Sequence, residues 1–339
     1  MEVNDMNRIW SYTIQLGFNM WRDETSVPEV DAEFQCQSSG HYQHTMLTDR
    51  ETWRHVVDKL PSFGINMLVI DLGEGVQYKS HPELAVEGAW TVEELRAELT
   101  HVREIGLEPI PMLNFSSYHD AWLQVYSHQK GSKVYNRTVA DLIDEVCEIF
   151  DYPRFFHLGL NEEHLLNPAC PRLWWQHDYK REGLAPRAPE EWWRDLHHYI
   201  ACVEKNGARP WIYGDYYYDH PERWEENVPK SCVISHGWFE RILLGADGTY
   251  PQRRTYEAYR DTFEMEYDQI PVSSDWTCQQ NTSQQVFQYM ECGYVNEHLL
   301  GFNVCPMQAT VDINYYSLLN NAHRLCLSRE MFEESYPEN

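Results

Sequence analysis

Positive charge is scarce in this chain, and its scarcity argues against several classes of partner. Lys and Arg number 27 against 53 Asp and Glu, which gives a formal net charge of -26. A field of that sign repels phosphate backbones and anionic lipid headgroups. We therefore expect neither nucleic acid nor a membrane surface as a partner. The charge has no bearing on a neutral substrate.

Paired cysteines and targeting signals are also lacking. The nine cysteines are scattered and form no CxxC pair, a pattern typical of reduced structural thiols rather than of a disulfide framework or a zinc site. We expect no metal and no cofactor. No apolar run reaches membrane-spanning length, and the first ten residues lack the basic-then-apolar pattern of a secretory signal. We expect a cytoplasmic protein, although a signal peptide cleaved before residue 1 would leave no trace here.

What the chain does have is an alternation of short apolar runs and amphipathic helical segments. Capping-box spacing occurs at Thr48 to Glu51 and at Thr91 to Glu94, each followed by an apolar stripe of helical period. The predicted strands are a run from Ile9 and residues 66–71, 108–113, 155–160, 210–214, 232–235, 270–273 and 300–304.

Eight strand–helix units is the count of a (β/α)8 TIM barrel, an α/β fold with a parallel sheet inside a ring of helices. A length of 339 residues suits one such domain. We predict a single catalytic barrel over residues 1–339, with short flexible ends at 1–7 and 332–339. The rival is a doubly wound open sheet, but no Gly-rich phosphate loop follows any predicted strand.

Acidic, histidine and aromatic residues recur where the predicted strands end. In a barrel, residues just past the carboxyl end of each strand face the active site. Such pairs are Asp71 and Glu74, His119 and Asp120, Asn161 and Glu162, Asp215 and Tyr216, His236 and Trp238, and Asp275 and Trp276. Carboxylic acids among aromatic walls suit glycoside hydrolysis, because apolar surroundings raise the pKa of the acid that must stay protonated.

The segment that ends the fourth strand is the most specific. Residues 155–163 read FFHLGLNEE and resemble the His-x-Gly-Gly-Asp-Glu motif of family 20 glycoside hydrolases, the β-N-acetylhexosaminidases. The resemblance covers roughly residues 64–163: HPEL at 81–84, GAWT at 88–91 and GLEPIP at 106–111 are similar to that family's run into its third strand. His119 falls where the family has a loop ending in Pro-Gly-His. Beyond residue 163 the resemblance rests on Trp211, Trp238 and Trp276.

The resemblance implies an exo-acting, β-hexosaminidase-like glycosidase with a carbohydrate substrate and Glu162 as its general acid. The other expected catalytic residues are Asn161 and Asp275. The expected substrate-binding residues are His119, Asp120, His157, Asp215, Tyr216, Trp211, His236, Trp238 and Trp276.

Two positions depart from the family pattern. Leu160 replaces the second Gly of the motif, and Asn161 stands where the family has Asp. In that family the Asp orients and charges the substrate's 2-acetamido group, which itself attacks the anomeric carbon with retention. Asn accepts a hydrogen bond but supplies no negative charge. Either the chain carries an inactivating Asp→Asn change or its mechanism differs.

Three alternatives stay open. Retaining barrel glycosidases of another clan also end the fourth strand in Asn-Glu, and Asp275 would then be the nucleophile, although that clan usually has Glu there. A metal-dependent sugar isomerase or epimerase would use Glu162, Asp215, His236 and Asp275 as a ring for Mn²⁺ or Mg²⁺. A non-catalytic carbohydrate-binding barrel is the third. The sugar, the linkage and the oligomeric state are not specified by the sequence.

Overall fold

The computed structural model describes residues 8–19, 42–117, 119–161, 163, 187–238, 251–274 and 280–337, apart from the side chains of 128, 238 and 251–254. The fold and the site are described for these residues.

Parallel strands form the centre of the molecule. They are β1 (Ile9–Gln15), β2 (Met67–Asp71), β3 (Glu108–Met112), β4 (Phe155–His157), β5 (Arg209–Tyr213), β6 (Val233–Ser235), β7 (Gly237–Trp238), β8 (Val272–Ser273) and β9 (Gly301–Val304). Their order in the sheet is β6-β5-β4-β3-β2-β1-β9-β8-β7, and every pair is parallel.

The two outermost strands of this order are pieces of one strand position. Only His236 separates β6 from β7, and Gln269 forms parallel bridges to Ile234 on one side and to Leu299 on the other. The nine pieces therefore occupy eight positions of a nearly closed sheet. This is the (β/α)8 barrel that the sequence predicts.

Helices flank this sheet. They are α1 (Arg50–Lys59), α2 (Val92–Glu104), α3 (Lys133–Ile149), α4 (Pro189–Lys205), α5 (Pro221–Asn227), α6 (Pro251–Glu264), α7 (Asn281–Glu291) and α8 (Tyr315–Ser335). The last of them continues to Ser335, past residue 332 where a flexible end was expected. Among the helices described, none is long and apolar enough to cross a bilayer.

Helix starts follow the sequence signals with one correction. Before α2 the predicted capping box is present, because Thr91 Oγ1 accepts from the Glu94 N–H and the Glu94 carboxylate accepts from the Thr91 N–H. Before α1 the cap is Asp49 instead of Thr48. The Thr48 hydroxyl donates to the carbonyl oxygen of Leu16 at 2.8 Å. Because the Thr48 hydroxyl is used in this bond at the end of β1, the neighbouring Asp49 caps the helix.

Two apolar layers follow from the alternation of side chains along the strands. The inner layer fills the barrel and consists of Ile9, Met67, Val69, Ile110, Met112, Phe155, Trp211, Tyr213, Val233, Ile270, Val272 and Cys305. The outer layer lies between strands and helices and includes Trp10, Leu68, Phe156 and Ile212. A residue at the end of a strand faces the barrel mouth if its position alternates in step with the inner layer, and it faces the helices if it alternates in step with the outer layer.

Candidate active site

The chain leaves β4 through a left-handed turn that the β3 loop holds in place. Gly159 and Leu160 both have φ +69°, and a Cβ added to Gly159 would lie 2.1 Å from Asn114 Oδ1. The Leu160 N–H donates to that same oxygen at 3.2 Å. Asn114 Nδ2 donates to Asn161 Oδ1 at 2.8 Å, and Ser116 Oγ donates to the Asn161 carbonyl at 2.6 Å. These bonds fix Asn161 where β4 opens at the barrel mouth.

Several expected site residues lie outside the described part of the chain. These are Glu162, Asp275, Trp276 and the side chain of Trp238. Glu163, however, is described and wholly buried. Its carboxylate accepts from Arg187 Nε at 3.0 Å and Nη2 at 2.5 Å, and from the Ser117 N–H at 2.7 Å. Its carboxylate is thus committed to a buried ion pair.

Arg187 joins that pair to helix α4. Its Nη1 donates to Asp195 Oδ2 at 3.2 Å and to the Tyr199 hydroxyl at 3.3 Å. Burial opposes the charge of this guanidinium, but the Glu163 carboxylate together with Tyr199 and Tyr135 raises the pKa of Arg187 well above its usual value. Sequence reasoning missed Arg187, because no local pattern links residues 24 positions apart.

His119 and Asp120 lie beside the turn that holds Asn161. The His119 N–H donates to the Ser116 carbonyl at 3.1 Å, and both side chains are buried. The Asp120 carboxylate accepts from the Lys130 ammonium in an ion pair. Asp120 is therefore engaged locally, while the loop as a whole adjoins the end of β4.

His157 and Trp211 are packed inside the barrel. The His157 ring centroid lies 4.8 Å from that of Trp211 and 4.6 Å from that of Tyr213. The Gly159 N–H donates to His157 Nδ1 at 3.0 Å, so the ring proton is on Nε2. Burial lowers the pKa of His157 to about 3, which keeps the ring neutral. Trp211, at 0% exposure, is part of the core rather than a cleft wall.

Tyr216 and His236 face the helices instead of the mouth. Tyr216 stacks on Trp192 of α4, with ring centroids 3.8 Å apart and planes at 6°. His236 Nε2 lies 2.7 Å from Thr262 Oγ1 of α6, and the ring packs against Gly214. Burial lowers the pKa of His236 to about 3. The sequence-based assignment placed the residues after each strand at the mouth and did not consider that side chains alternate between the inner and outer layers. By that alternation His236 points outward, toward the helices.

The mouth itself holds acidic residues that sequence reasoning noted without giving them a role. Asp71 ends β2 on the inward face, two residues after Val69. Burial, and then the neighbouring Glu74, raise the pKa of Asp71 well above its usual value. The Glu74 carboxylate accepts from the N–H groups of Phe18 at 2.7 Å and Asn19 at 3.1 Å. Burial nevertheless raises the pKa of Glu74 to about 7.

Asp215 follows β5 and is 8% exposed. Both Asp71 and Asp215 act electrostatically on the Tyr213 hydroxyl, whose pKa is raised first by burial and then by Cys305 and these two carboxyls. Asp215 and Asp71 thus border the same inward-facing tyrosine. Within the described residues, no group of three or more His, Cys, Asp or Glu side chains has the geometry of a metal site.

Solved structures share this barrel, whereas no protein-family model and no curated protein sequence matches the chain. A β-N-acetylhexosaminidase from Bacteroides fragilis superposes with a TM-score of 0.59 at 13% identity, over 98% of this chain and 71% of its own. A family 20 β-N-acetylhexosaminidase from Streptomyces coelicolor gives 0.60 at 10%, over 97% and 69%. A family 20 exo-β-N-acetylglucosaminidase from Vibrio harveyi gives 0.56 at 12%, over 97% and 57%.

These proteins have the fold that the sequence resemblance to family 20 predicts. At identities of 10–13% this similarity establishes the barrel fold, and the activity has to be argued from the residues of the site. The chain spans 57–71% of the lengths of the three proteins.

Proposed function

We propose that the chain is a glycosidase of the family 20 kind, an exo-acting β-hexosaminidase-like enzyme with Glu162 as general acid. The observation that carries the proposal is the end of β4. Asn114 and Ser116 hold Asn161 at the mouth, directly before Glu162. The next residue, Glu163, has its carboxylate buried against Arg187. Of the two adjacent glutamates, we therefore assign the acid to Glu162.

Asn161 takes the place that Asp has in family 20, and we propose that it orients the substrate's 2-acetamido group. Its Oδ1 already accepts from Asn114 Nδ2 at 2.8 Å, and an oxygen has a second lone pair for a substrate N–H. Because Asn114 donates, it would serve a carboxylate in the same place equally well. Asn161→Asp should therefore fit without rearrangement and should raise the rate, since its charge stabilises a cationic intermediate.

The experiment is a panel of aryl β-glycosides, N-acetylated and not, with leaving groups of different acidity. We expect turnover of the N-acetylated members, faster in Asn161→Asp. In that active parent, Glu162→Gln should cost roughly 10²–10⁴ in kcat on a poor leaving group and much less on a good one. Glu108→Gln, in a surface ion pair with Arg154, is the matched control and should change nothing. A Glu162→Gln enzyme that equals its parent on the poor leaving group would remove Glu162 from this role.

The same panel separates the alternatives. A retaining enzyme with Asp275 as nucleophile would accept sugars that lack the 2-acetamido group and would lose turnover in Asp275→Asn. An isomerase would release no aryl group. The orientation of His236, which bonds Thr262 on the helix side, supports a glycosidase over a metal ring that needs this histidine at the mouth.

A further inference from the structure

Below the mouth, polar side chains inside the barrel are paired with one another. Asn303 Nδ2 donates to Thr13 Oγ1 at 2.9 Å, and Ser11 Oγ donates to Asn303 Oδ1 at 3.0 Å. Trp211 Nε1 donates to Ser235 Oγ at 2.7 Å. Such pairing is expected, because a buried polar group without a partner is costly.

One level higher, the pairing stops. Gln15 is 3% exposed, yet its buried Oε1 has no hydrogen-bond partner, and the same is true of His157 Nε2. The Asp71 carboxyl is 7% exposed, and the described residues give it neither a hydrogen bond nor a cation. The strand register aligns Gln15 with Asp71, Asp71 with Met112, and Met112 with His157. Register partners in a parallel sheet point to the same face, so these unsatisfied groups share one inward level.

Gln15 and Asp71 are the two of these groups that are neighbours on adjacent strands. Two side-chain hydroxyls hold the main chain of Gln15 in place, because the Gln15 carbonyl accepts from Thr310 Oγ1 at 2.7 Å and from Thr48 Oγ1 at 3.2 Å. His157 is covered by the rings of Trp211 and Tyr213. Of the three unsatisfied groups, Gln15 and Asp71 are therefore the adjacent pair that a ligand at this level would contact.

The chemistry of these two side chains selects a ligand class. The Gln15 amide has an acceptor, Oε1, and a donor, Nε2, and a neutral Asp71 carboxyl both donates and accepts. Burial keeps the pKa of Asp71 high, and no cation among the described residues opposes this. A hydroxyl group also donates and accepts, so vicinal hydroxyls match this pair. A carboxylate or sulfate could accept from these donors, but among the described residues Asp71 has no cation beside it to balance a ligand's negative charge.

We propose that Asp71 and Gln15 form the floor of the substrate pocket, bind hydroxyl groups of a neutral pyranose, and exclude anionic sugars. The proposal rests on the proposed function for the presence of a sugar at this mouth, but binding can be measured without turnover. Asp71 is then a residue that determines specificity, and its contact with the sugar is separate from the acid assigned to Glu162.

The test is calorimetric titration of the full chain with N-acetylglucosamine, galactose and glucuronic acid. Losing a hydrogen bond to a desolvated polar group should weaken Kd about 5- to 100-fold in Asp71→Leu and in Gln15→Leu. Asp71→Asn keeps a donor and an acceptor and should stay within about threefold of the unaltered chain. Tyr12→Phe is the matched control: it lies on the outward face of β1, where its hydroxyl donates to the Leu318 carbonyl, and it should bind like the unaltered chain.

The outcomes separate this proposal from the proposed function. A first outcome is that a neutral sugar binds, that Asp71→Leu and Gln15→Leu weaken this binding, and that no aryl glycoside is cleaved. This outcome would support the pocket floor and contradict the glycosidase activity. A second outcome is that aryl glycosides are cleaved with Kd and KM unchanged in both leucine variants. This outcome would contradict the pocket floor and support the glycosidase activity. Glucuronic acid bound as tightly as the neutral sugars would overturn the floor, and so would an unaltered chain that binds neither neutral sugar. Should Asp71→Leu fail to fold, Gln15→Leu decides by the same criterion.

Discussion

The buried pair of Glu163 and Arg187 allows a quantitative prediction about stability. Their side chains are 0% and 6% exposed, and removing one partner of such a pair costs about 3–5 kcal/mol, because the other charge is left buried. Glu163→Gln keeps the shape, removes the charge and replaces one acceptor oxygen by an NH2 group. Asp195 remains 3.2 Å from Arg187 and partly compensates. We therefore expect the free energy of unfolding to fall by about 3 kcal/mol, the lower end of that range.

The chain provides a control with the same geometry at the surface. Arg154 Nε and Nη2 donate to the two oxygens of Glu108 at 3.1 and 2.6 Å, but these side chains are 47% and 37% exposed. Solvent screening limits exposed pairs to about 0–1 kcal/mol. Glu108→Gln should therefore cost less than about 1 kcal/mol, although it makes the same chemical change in a pair of the same geometry.

The assay is urea unfolding of the unaltered chain, Glu163→Gln and Glu108→Gln, at low and at high salt. Salt should reduce the small effect at Glu108 and leave the effect at Glu163 nearly unchanged, because buried pairs are poorly screened. Equal costs at the two positions, or a cost below about 1 kcal/mol for Glu163→Gln, would refute the reasoning from burial.

Two further predictions concern the barrel mouth and the turn after β4. The pKa of Glu74 is about 7 in the folded chain against an ordinary 4.5. Its contribution to the free energy of unfolding is therefore fully present below pH 4.5 and is lost as pH rises through 7. The unfolding free energy should thus drop by on the order of 3 kcal/mol across that window, and Glu74→Gln should remove the drop in urea titrations at pH 5 and 8. Identical pH profiles for the two proteins would contradict this. Leu160→Gly relieves a left-handed backbone, worth about 1–2 kcal/mol, but deletes a side chain that is 1% exposed, worth about 2–5 kcal/mol. We expect a net loss of stability in thermal unfolding, and a raised Tm would show that backbone strain dominates.

Local sequence patterns determined the architecture of this protein. Apolar runs of strand length alternating with helical stripes suffice to predict eight strand–helix units, because each element's periodicity is written in its own residues. The same holds for the cap at Thr91, whose partner is three residues away. The motif around Leu160 also located the turn at the end of β4, since a position where the family has Gly proves to have φ +69°.

The tertiary structure alone decided which polar groups meet and which way they face. His236 and Asp71 both stand at strand ends, yet one points to α6 and the other into the mouth. A shift of one residue in a strand's end reverses the face of a side chain. Glu163 found its partner in Arg187 through packing across a long connection. The fold follows from periodicity, which is local, whereas the pairing of buried charges depends on three-dimensional neighbours that no sequence pattern records.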